Sequence, residues 1–126
     1  MIKVAASAVF ATLATLLLAS AAQAASYPVQ GRWGQSTSTD KNPIDCSRLR
    51  TVDFQGERRF DSGGGVPDFR AISVQPEGQS SFRVVEEFRT GQVNGRNSLT
   101  IRVKTDPDRV ELDPARGGSL QLRRCK

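Results

Sequence analysis

The sequence predicts an all-β domain, and three observations support this prediction. Beyond Cys46, apolar residues alternate with polar ones at a period of two, as in strands with one buried and one solvated face. Turn-favouring Gly, Pro, Asn and Asp residues separate these segments. No long segment carries the apolar stripe of a helix. We therefore expect a small antiparallel meander of about six to eight strands, forming a barrel or a curled sandwich.

The strands are expected in chain order from Trp33 onward. Trp33 is the only Trp, and we expect it to anchor one end of the core; the run over 35–42 is polar and turn-prone. The alternating apolar sets that follow are Val52 and Phe54; Ile72 and Val74; Phe82, Val84 and Phe88; Leu99, Ile101 and Val103; Val110 and Leu112; Leu120 and Leu122.

The connections between these strands are also marked in the sequence. Asn94-Gly95 is a signal for a two-residue hairpin turn, and the glycine run 63–65 and the segments 76–78, 106–108 and 113–118 suit turns or loops. A short helical turn is a further hypothesis for 42–49, because Asp45 could cap it.

Residues 1–24 have the pattern of a secretory signal peptide. A positive charge at Lys3 precedes an apolar run over 4–18, and Ala22-Gln23-Ala24 forms a small-residue cleavage site. The mature chain would then be a single β domain over 25–126, exported to a periplasm or to the outside of the cell. No segment of that mature chain is apolar enough to span a bilayer.

The residue types exclude several classes of chemistry. The chain contains no His, which excludes Ser-His-Asp and Cys-His nucleophile systems and sites with His ligands. We expect no catalytic residues, no metal and no cofactor, and hence no enzyme. Cys46 and Cys125 are the only cysteines, and in an oxidising compartment they predict one disulfide.

A short motif near the first strand resembles that of a known group of barrels. Gly31-Arg32-Trp33 precedes an antiparallel meander, and a basic residue, Arg124, follows late in the chain. This combination resembles the calycin-like barrels, which include the lipocalins and the small exported metalloprotease inhibitors of bacteria. The resemblance implies a barrel whose base is closed by Gly31 and Trp33, with Arg124 packed across the Trp.

One carboxylate is expected inside the sheet. Glu86 shares the inward parity of its strand, whereas the adjacent Glu87 points outward. Arg124 also has inward parity and is a candidate partner for Glu86. Three interpretations are open: a polar anchor inside a ligand cavity, a structural ion pair at a barrel end, or a strand end where Glu86 stays in water.

Arginines at outward positions predict a cationic surface. Arg83, Arg102 and Arg123 alternate with inward apolar residues, and if adjacent strands align them they form a stripe. Such a stripe would suit an anionic polymer, a lipid head group or an acidic protein. Nucleic acid is not expected as a partner, because the aromatic residues needed for base stacking are few and belong to the core.

The sequence therefore favours a non-enzymatic, exported interaction module that binds a protein or an anionic envelope component. A periplasmic protease inhibitor is one concrete version of this function. The alternative is a carrier of a small ligand inside the barrel. The predicted inner face favours the module because its large side chains would fill a narrow barrel; these are Phe54, Phe82, Phe88, Leu99 and Ile101.

Overall fold

The computed structural model describes residues 25–39 and 41–126, which form a closed eight-stranded barrel. The strands are β1 (Gly31–Gln35), β2 (Thr51–Gln55), β3 (Arg58–Asp61), β4 (Asp68–Pro76), β5 (Ser81–Thr90), β6 (Val93–Val103), β7 (Arg109–Pro114) and β8 (Leu120–Arg124). Each strand pairs antiparallel with the next, and β8 pairs with β1. The predicted all-β meander is confirmed, and among the described residues there is no helix that could cross a membrane.

The period-two pattern places a continuous apolar core inside the barrel. Trp33 on β1 is buried, and its indole Nε1 donates to the carbonyl oxygen of Gln30 at 3.1 Å. The other core residues come from β2 and from β4 to β8; they are Val52, Phe54, Ala71, Val84, Leu99, Ile101, Val110, Leu112, Leu120 and Leu122, together with Tyr27 from the segment before β1.

The hairpin between β5 and β6 turns earlier than the Asn94-Gly95 signal predicts. The turn residues are Gly91 and Gln92, and Gly91 has a positive φ of 56°, which suits glycine. Asn94 and Gly95 lie within β6. Gly95 serves a packing purpose there, since a Cβ at this position would overlap the Phe88 ring on β5.

A β-bulge in β4 corrects a second expectation. The register shifts between Ala71 and Ser73, so that Ala71 pairs with Glu86 and Val74 pairs with Val84. The extra residue breaks the strict alternation. Ala71 and Val74, rather than Ile72 and Val74, therefore contribute to the core.

The connections divide between two ends of the barrel. The segments 56–57, 77–80 and 104–108 lie at one end, which we call the base; 36–50, 62–67, 91–92 and 115–119 leave the strands at the other end, the mouth. The segment before β1 attaches to the base, where the Tyr27 amide donates to the Gly56 carbonyl at 3.0 Å.

The long β1–β2 connection runs back along the outer wall and is joined to the C-terminus. Cys46 and Cys125 form the predicted disulfide, with Cα atoms 5.6 Å apart, and Ile44 bridges to Cys125. The helical turn expected over 42–49 is not formed. Asp45 instead accepts a hydrogen bond from the Ser47 amide at 3.0 Å, which stabilises a tight turn.

Candidate binding site

A buried polar cluster lies between the apolar core and the mouth. At its centre is Glu86, whose side chain is fully buried. Arg59 of β3 binds it with two nitrogens, with Nε 3.0 Å from Oε2, and the Tyr27 hydroxyl donates to Oε2 at 2.6 Å. Asn97 Nδ2 donates to Oε1 at 2.9 Å. Both carboxylate oxygens are satisfied, as a buried charge requires.

A second carboxylate extends the cluster to the rim of the mouth. Arg50 binds Asp61 with two nitrogens, with distances of 2.9 Å from Nε to Oδ1 and 2.7 Å from Nη2 to Oδ2. Arg59 lies between both carboxylates, since its Nη1 is 3.5 Å from Asp61 Oδ2. The Arg59 guanidinium also lies 3.9 Å from the centre of the Phe69 ring, a cation–π contact.

The electrostatics of the cluster shift the pKa of Tyr27 and of Asp61. Burial, followed by the charge of Glu86, raises the pKa of the Tyr27 hydroxyl well above its ordinary value. Burial alone would raise the pKa of Asp61, but hydrogen bonds from Arg50 and the Gly63 amide and the two arginine charges lower it below 3.8. At neutral pH Tyr27 therefore stays protonated and Asp61 stays ionised between Arg50 and Arg59.

On the mouth side of this cluster lies a cavity of about 820 Å³ that is open to solvent. Arginines dominate its charged lining, which contains Arg50, Arg59, Arg96 and Arg116 but only one carboxylate, Asp61. Its apolar lining comprises mainly Val66, Phe69, Phe88, Leu99, Leu112 and Leu120. The volume lies within the range of small-molecule sites.

Two of the four mouth arginines have no counterion among the described residues. Arg50 and Arg59 are bound to Asp61 and Glu86, whereas Arg96 and Arg116 are exposed and form no ion pair with any described residue. The mouth therefore presents a net positive charge beside an apolar wall, an arrangement that attracts anions.

A second concavity of about 660 Å³ lies on the outer wall across β3 to β6. Its charged lining consists of Arg58, Arg70, Arg89 and Arg96 with Asp68 and Glu87. Arg58 forms an ion pair with Asp68, and Arg70 Nη1 lies 3.9 Å from Glu87 Oε1. The cations thus outnumber the carboxylates here as well.

The arginines proposed from sequence as a cationic stripe are arranged differently. Arg83 is paired with Glu77 at 2.8 Å, and Arg102 lies between Glu111 and Asp113 at 3.3 and 3.1 Å. Arg83 is exposed and Arg102 is half-buried, and carboxylates neutralise both charges.

The prediction that Arg123 belongs to an exposed cationic stripe is wrong, because its side chain is only 1% exposed. It pairs in register with Gly34, whose outer face is covered by Cys46 and Leu49 of the β1–β2 connection. Its closest carboxylate is Asp106, 3.6 Å from Nη1. Arg123 therefore cannot belong to an exposed binding surface.

The three residues quoted for the calycin-like resemblance come together at the base. The Arg124 guanidinium lies 4.4 Å from the centre of the Trp33 ring, and the two residues are cross-strand partners. Gly31 has a positive φ of 95°, and a Cβ there would meet Arg124 Nη1 at 3.3 Å. Inward parity made Arg124 a candidate partner for Glu86, but the two residues do not pair. The Arg124 Nε instead donates to Asp108 Oδ1 at 3.1 Å.

Sequence reasoning missed Arg59 and Asp61, which form the inner face of β3. Their only apolar neighbour, Phe60, faces outward, so hydrophobic alternation gives no strand signal here. The turn before β3 could have indicated these two residues. Gly56 and Glu57 form a two-residue hairpin turn, which pairs Phe54 with Arg59 and Val52 with Asp61. Cross-strand partners share a face, so this register aims both charges inward.

The described residues contain no cluster of three or more metal-ligating side chains. Comparison of the chain with protein-family models, with curated proteins and with solved structures finds no significant match. The barrel and its mouth therefore provide the observations from which a function can be inferred.

Proposed function

We propose that this protein is exported to an oxidising compartment and is a non-enzymatic binding protein. Its barrel mouth would hold a small molecule with an anionic group and an apolar part. The observation that carries the proposal is the cavity of about 820 Å³ with four arginines and one carboxylate in its lining. The disulfide is consistent with an oxidising compartment, and the pattern of residues 1–24 supports export.

The charge of the site supports an anionic ligand. Arg96 and Arg116 are exposed at the rim and have no counterion among the described residues, so an incoming carboxylate or sulfonate displaces no protein partner. Arg50 and Arg59 are held in place by Asp61 and Glu86, which gives the floor a fixed arrangement of donors.

The apolar lining supports a ligand with a hydrocarbon part. Phe69 and Phe88 pack edge to face with ring centres 5.7 Å apart, and Leu112 and Leu120 lie on the other side of the cavity. An apolar group placed between them would be removed from water. Large buried side chains such as Trp33, Phe54 and Ile101 fill the interior of the barrel below the mouth. The ligand is therefore expected in the mouth rather than deep inside.

Isothermal titration calorimetry of the oxidised protein with three probes of equal chain length tests this proposal. The probes are decanoate, decanol and decyltrimethylammonium, which each have a ten-carbon chain, the carboxyl carbon of decanoate included, and differ in the charge of the head group. We expect decanoate to bind at least about tenfold more tightly than decanol, and the cation to show no saturable binding. Equal binding of all three probes, or no binding of decanoate, would contradict the proposal.

A pair of double variants locates the binding. Arg96→Gln/Arg116→Gln removes both exposed rim charges and is expected to weaken decanoate binding by about tenfold. Arg48→Gln/Arg83→Gln removes the same net charge from two arginines that do not line the mouth, and it should leave the affinity within about twofold. Equal losses in both variants would indicate a long-range charge effect rather than a site.

A second candidate is the interaction module expected from sequence, with an anionic polymer or an acidic protein bound at the outer wall. The concavity of about 660 Å³ and its excess of arginine over carboxylate favour it. A protease inhibitor would be one version of such a module. Fluorescence anisotropy with labelled polyglutamate tests it: Arg70→Gln should weaken binding, whereas Arg83→Gln should not.

A further inference from the structure

The strand β6 extends beyond its partner β7 and leaves a free edge beside the mouth. The strand β6 pairs with β5 from Val93 to Arg102, but its pairing with β7 begins only at Leu99, opposite Pro114. After Pro114 the chain turns away through the exposed segment 115–119. Residues 93–98 of β6 therefore have a strand on one side only.

The hydrogen-bonding phase shows which main-chain groups point to this free edge. A two-residue turn makes Thr90 and Val93 a hydrogen-bonded pair. Because main-chain bonding alternates along an antiparallel strand, the main-chain groups of Gly95 and Asn97 also bond to β5. The main-chain groups of the residues between them point away from β5. The Ser98 carbonyl confirms this phase by accepting from the Ala115 amide at 2.9 Å on the β7 side. The N–H and C=O groups of Asn94 and Arg96 consequently face the same side, where no strand of the described chain lies.

We propose that this edge of β6 binds an extended, acidic peptide segment of another protein as an added β-strand. Main-chain hydrogen bonds to Asn94 and Arg96 would provide the pairing, as in other strand-addition complexes. This inference does not depend on the small molecule proposed for the mouth, because it uses backbone groups that such a ligand does not need.

The charges around the edge favour an acidic peptide. Arg96 lines both the mouth cavity and the outer concavity, and Arg116 lies across the gap in the β7–β8 connection. Neither has a counterion among the described residues. Side chains of an added strand alternate between the two faces of the sheet, so acidic residues would meet Arg96 on the outer face or Arg116 and Arg50 at the mouth.

Two features of the surroundings are compatible with an added strand. The neighbouring connection contains Gly117 and Gly118, and a Cβ at Gly118 would meet no atom within 4 Å. Exposed Val93, with 61% of its surface accessible, ends the edge at the hairpin tip and offers an apolar contact to the peptide.

Amide hydrogen exchange followed by NMR tests the proposal on the unmodified, oxidised protein. The probe is a synthetic six-residue peptide of alternating Glu and Val, acetylated and amidated, and its counterpart of alternating Lys and Val is the charge control. Saturation with the acidic peptide should slow exchange of the Asn94 and Arg96 amides at least about tenfold. The Gly95 and Asn97 amides, already bonded to β5, serve as the internal reference and should change little.

Two variants at one position separate the backbone group from the charge. Arg96→Pro removes the edge amide without removing a hydrogen bond to β5, and Arg96→Gln keeps the amide but removes the charge. Arg96→Pro should weaken binding of the acidic peptide about tenfold or more beyond Arg96→Gln. The hydrogen-exchange result needs no variant and so stands if Arg96→Pro fails to fold.

The proposal is overturned if the acidic peptide does not bind, if it binds without protecting Asn94 and Arg96, or if the Lys peptide binds equally well. These failures are distinguishable from failure of the proposed function. Decanoate binding at the mouth could persist without amide protection, and peptide binding could persist without any decanoate binding.

Discussion

Two adjacent glutamates show how strongly one residue's environment determines its role. Glu86 is fully buried and held by Arg59, Tyr27 and Asn97, whereas the side chain of Glu87 is 46% exposed on the outer wall. They differ by one position along β5, and successive strand residues point to opposite faces. The same type of side chain is therefore a buried structural group at one position and a partly solvated one at the next.

Neutralising Glu86 should be far more costly than neutralising Glu87. Glu86→Gln leaves the buried Arg59 without its main counterion and is expected to lower the free energy of unfolding by about 3–5 kcal/mol. Glu87→Gln is the matched control and should change it by less than about 0.5 kcal/mol. Urea unfolding followed by the fluorescence of Trp33 measures both, and equal costs would show that Arg59 does not depend on Glu86.

Asp61 should make stability fall in acid. Its pKa is lowered in the folded state, so its contribution is present above the ordinary carboxyl value of 3.8 and is lost as the pH falls through the folded-state pKa. Asp61→Asn should be less stable than wild type at neutral pH, and the difference should shrink in acid. Unfolding free energies measured across this range check it, and a constant difference would contradict the prediction.

At the scale of the element, the β5–β6 hairpin depends on a missing side chain. Phe88 and Gly95 are cross-strand partners, and the Phe88 ring occupies the space that a Cβ at Gly95 would take. This packing holds Phe88 against Phe69, whose ring in turn lies over Arg59. The glycine thus supports the wall of the mouth although it contacts no ion pair itself.

A methyl group at Gly95 should therefore destabilise the protein. Gly95→Ala is expected to lower the free energy of unfolding by about 1–3 kcal/mol, since the ring must move. Gly118→Ala, at a position with open space, should be neutral within about 0.5 kcal/mol. In a Phe88→Ala background the cost of Gly95→Ala should disappear; an unchanged cost would mean that the ring is not its cause.

At the scale of the whole molecule, links that are remote in sequence fasten both ends of the described chain to the barrel. Tyr27 reaches from the base to Glu86, a separation of 59 residues, and the disulfide joins Cys46 to Cys125, a separation of 79 residues. The disulfide also holds the β1–β2 connection over Gly34, and so over the neighbouring Arg123.

Removing the disulfide should reduce stability without changing the fold. For Cys46→Ser/Cys125→Ser we expect a loss of about 2–4 kcal/mol in the free energy of unfolding, because the open unfolded chain gains entropy. The barrel pairing does not include the two cysteines, so the far-ultraviolet circular dichroism spectrum should stay that of a β protein. A helical or disordered spectrum, or an unchanged unfolding midpoint, would contradict this prediction.

The sequence by itself determined the all-β class, the burial of most alternating apolar residues and the disulfide. The periodicity of Phe82, Val84 and Glu86 is a local property of an extended backbone, so it can be read without knowing the partner strands. The pairing of Cys46 with Cys125 followed because two cysteines allow one intramolecular bridge.

Only the tertiary structure decided which charges meet. Barrel closure and the short β2–β3 hairpin bring Arg59 rather than Arg124 to Glu86, and the folded-back β1–β2 connection buries Arg123. Parity assigns a side chain to a face but gives neither its height along the barrel nor what covers it. Those depend on register and on contacts between residues far apart in sequence, and they shape both the mouth and the free edge of β6.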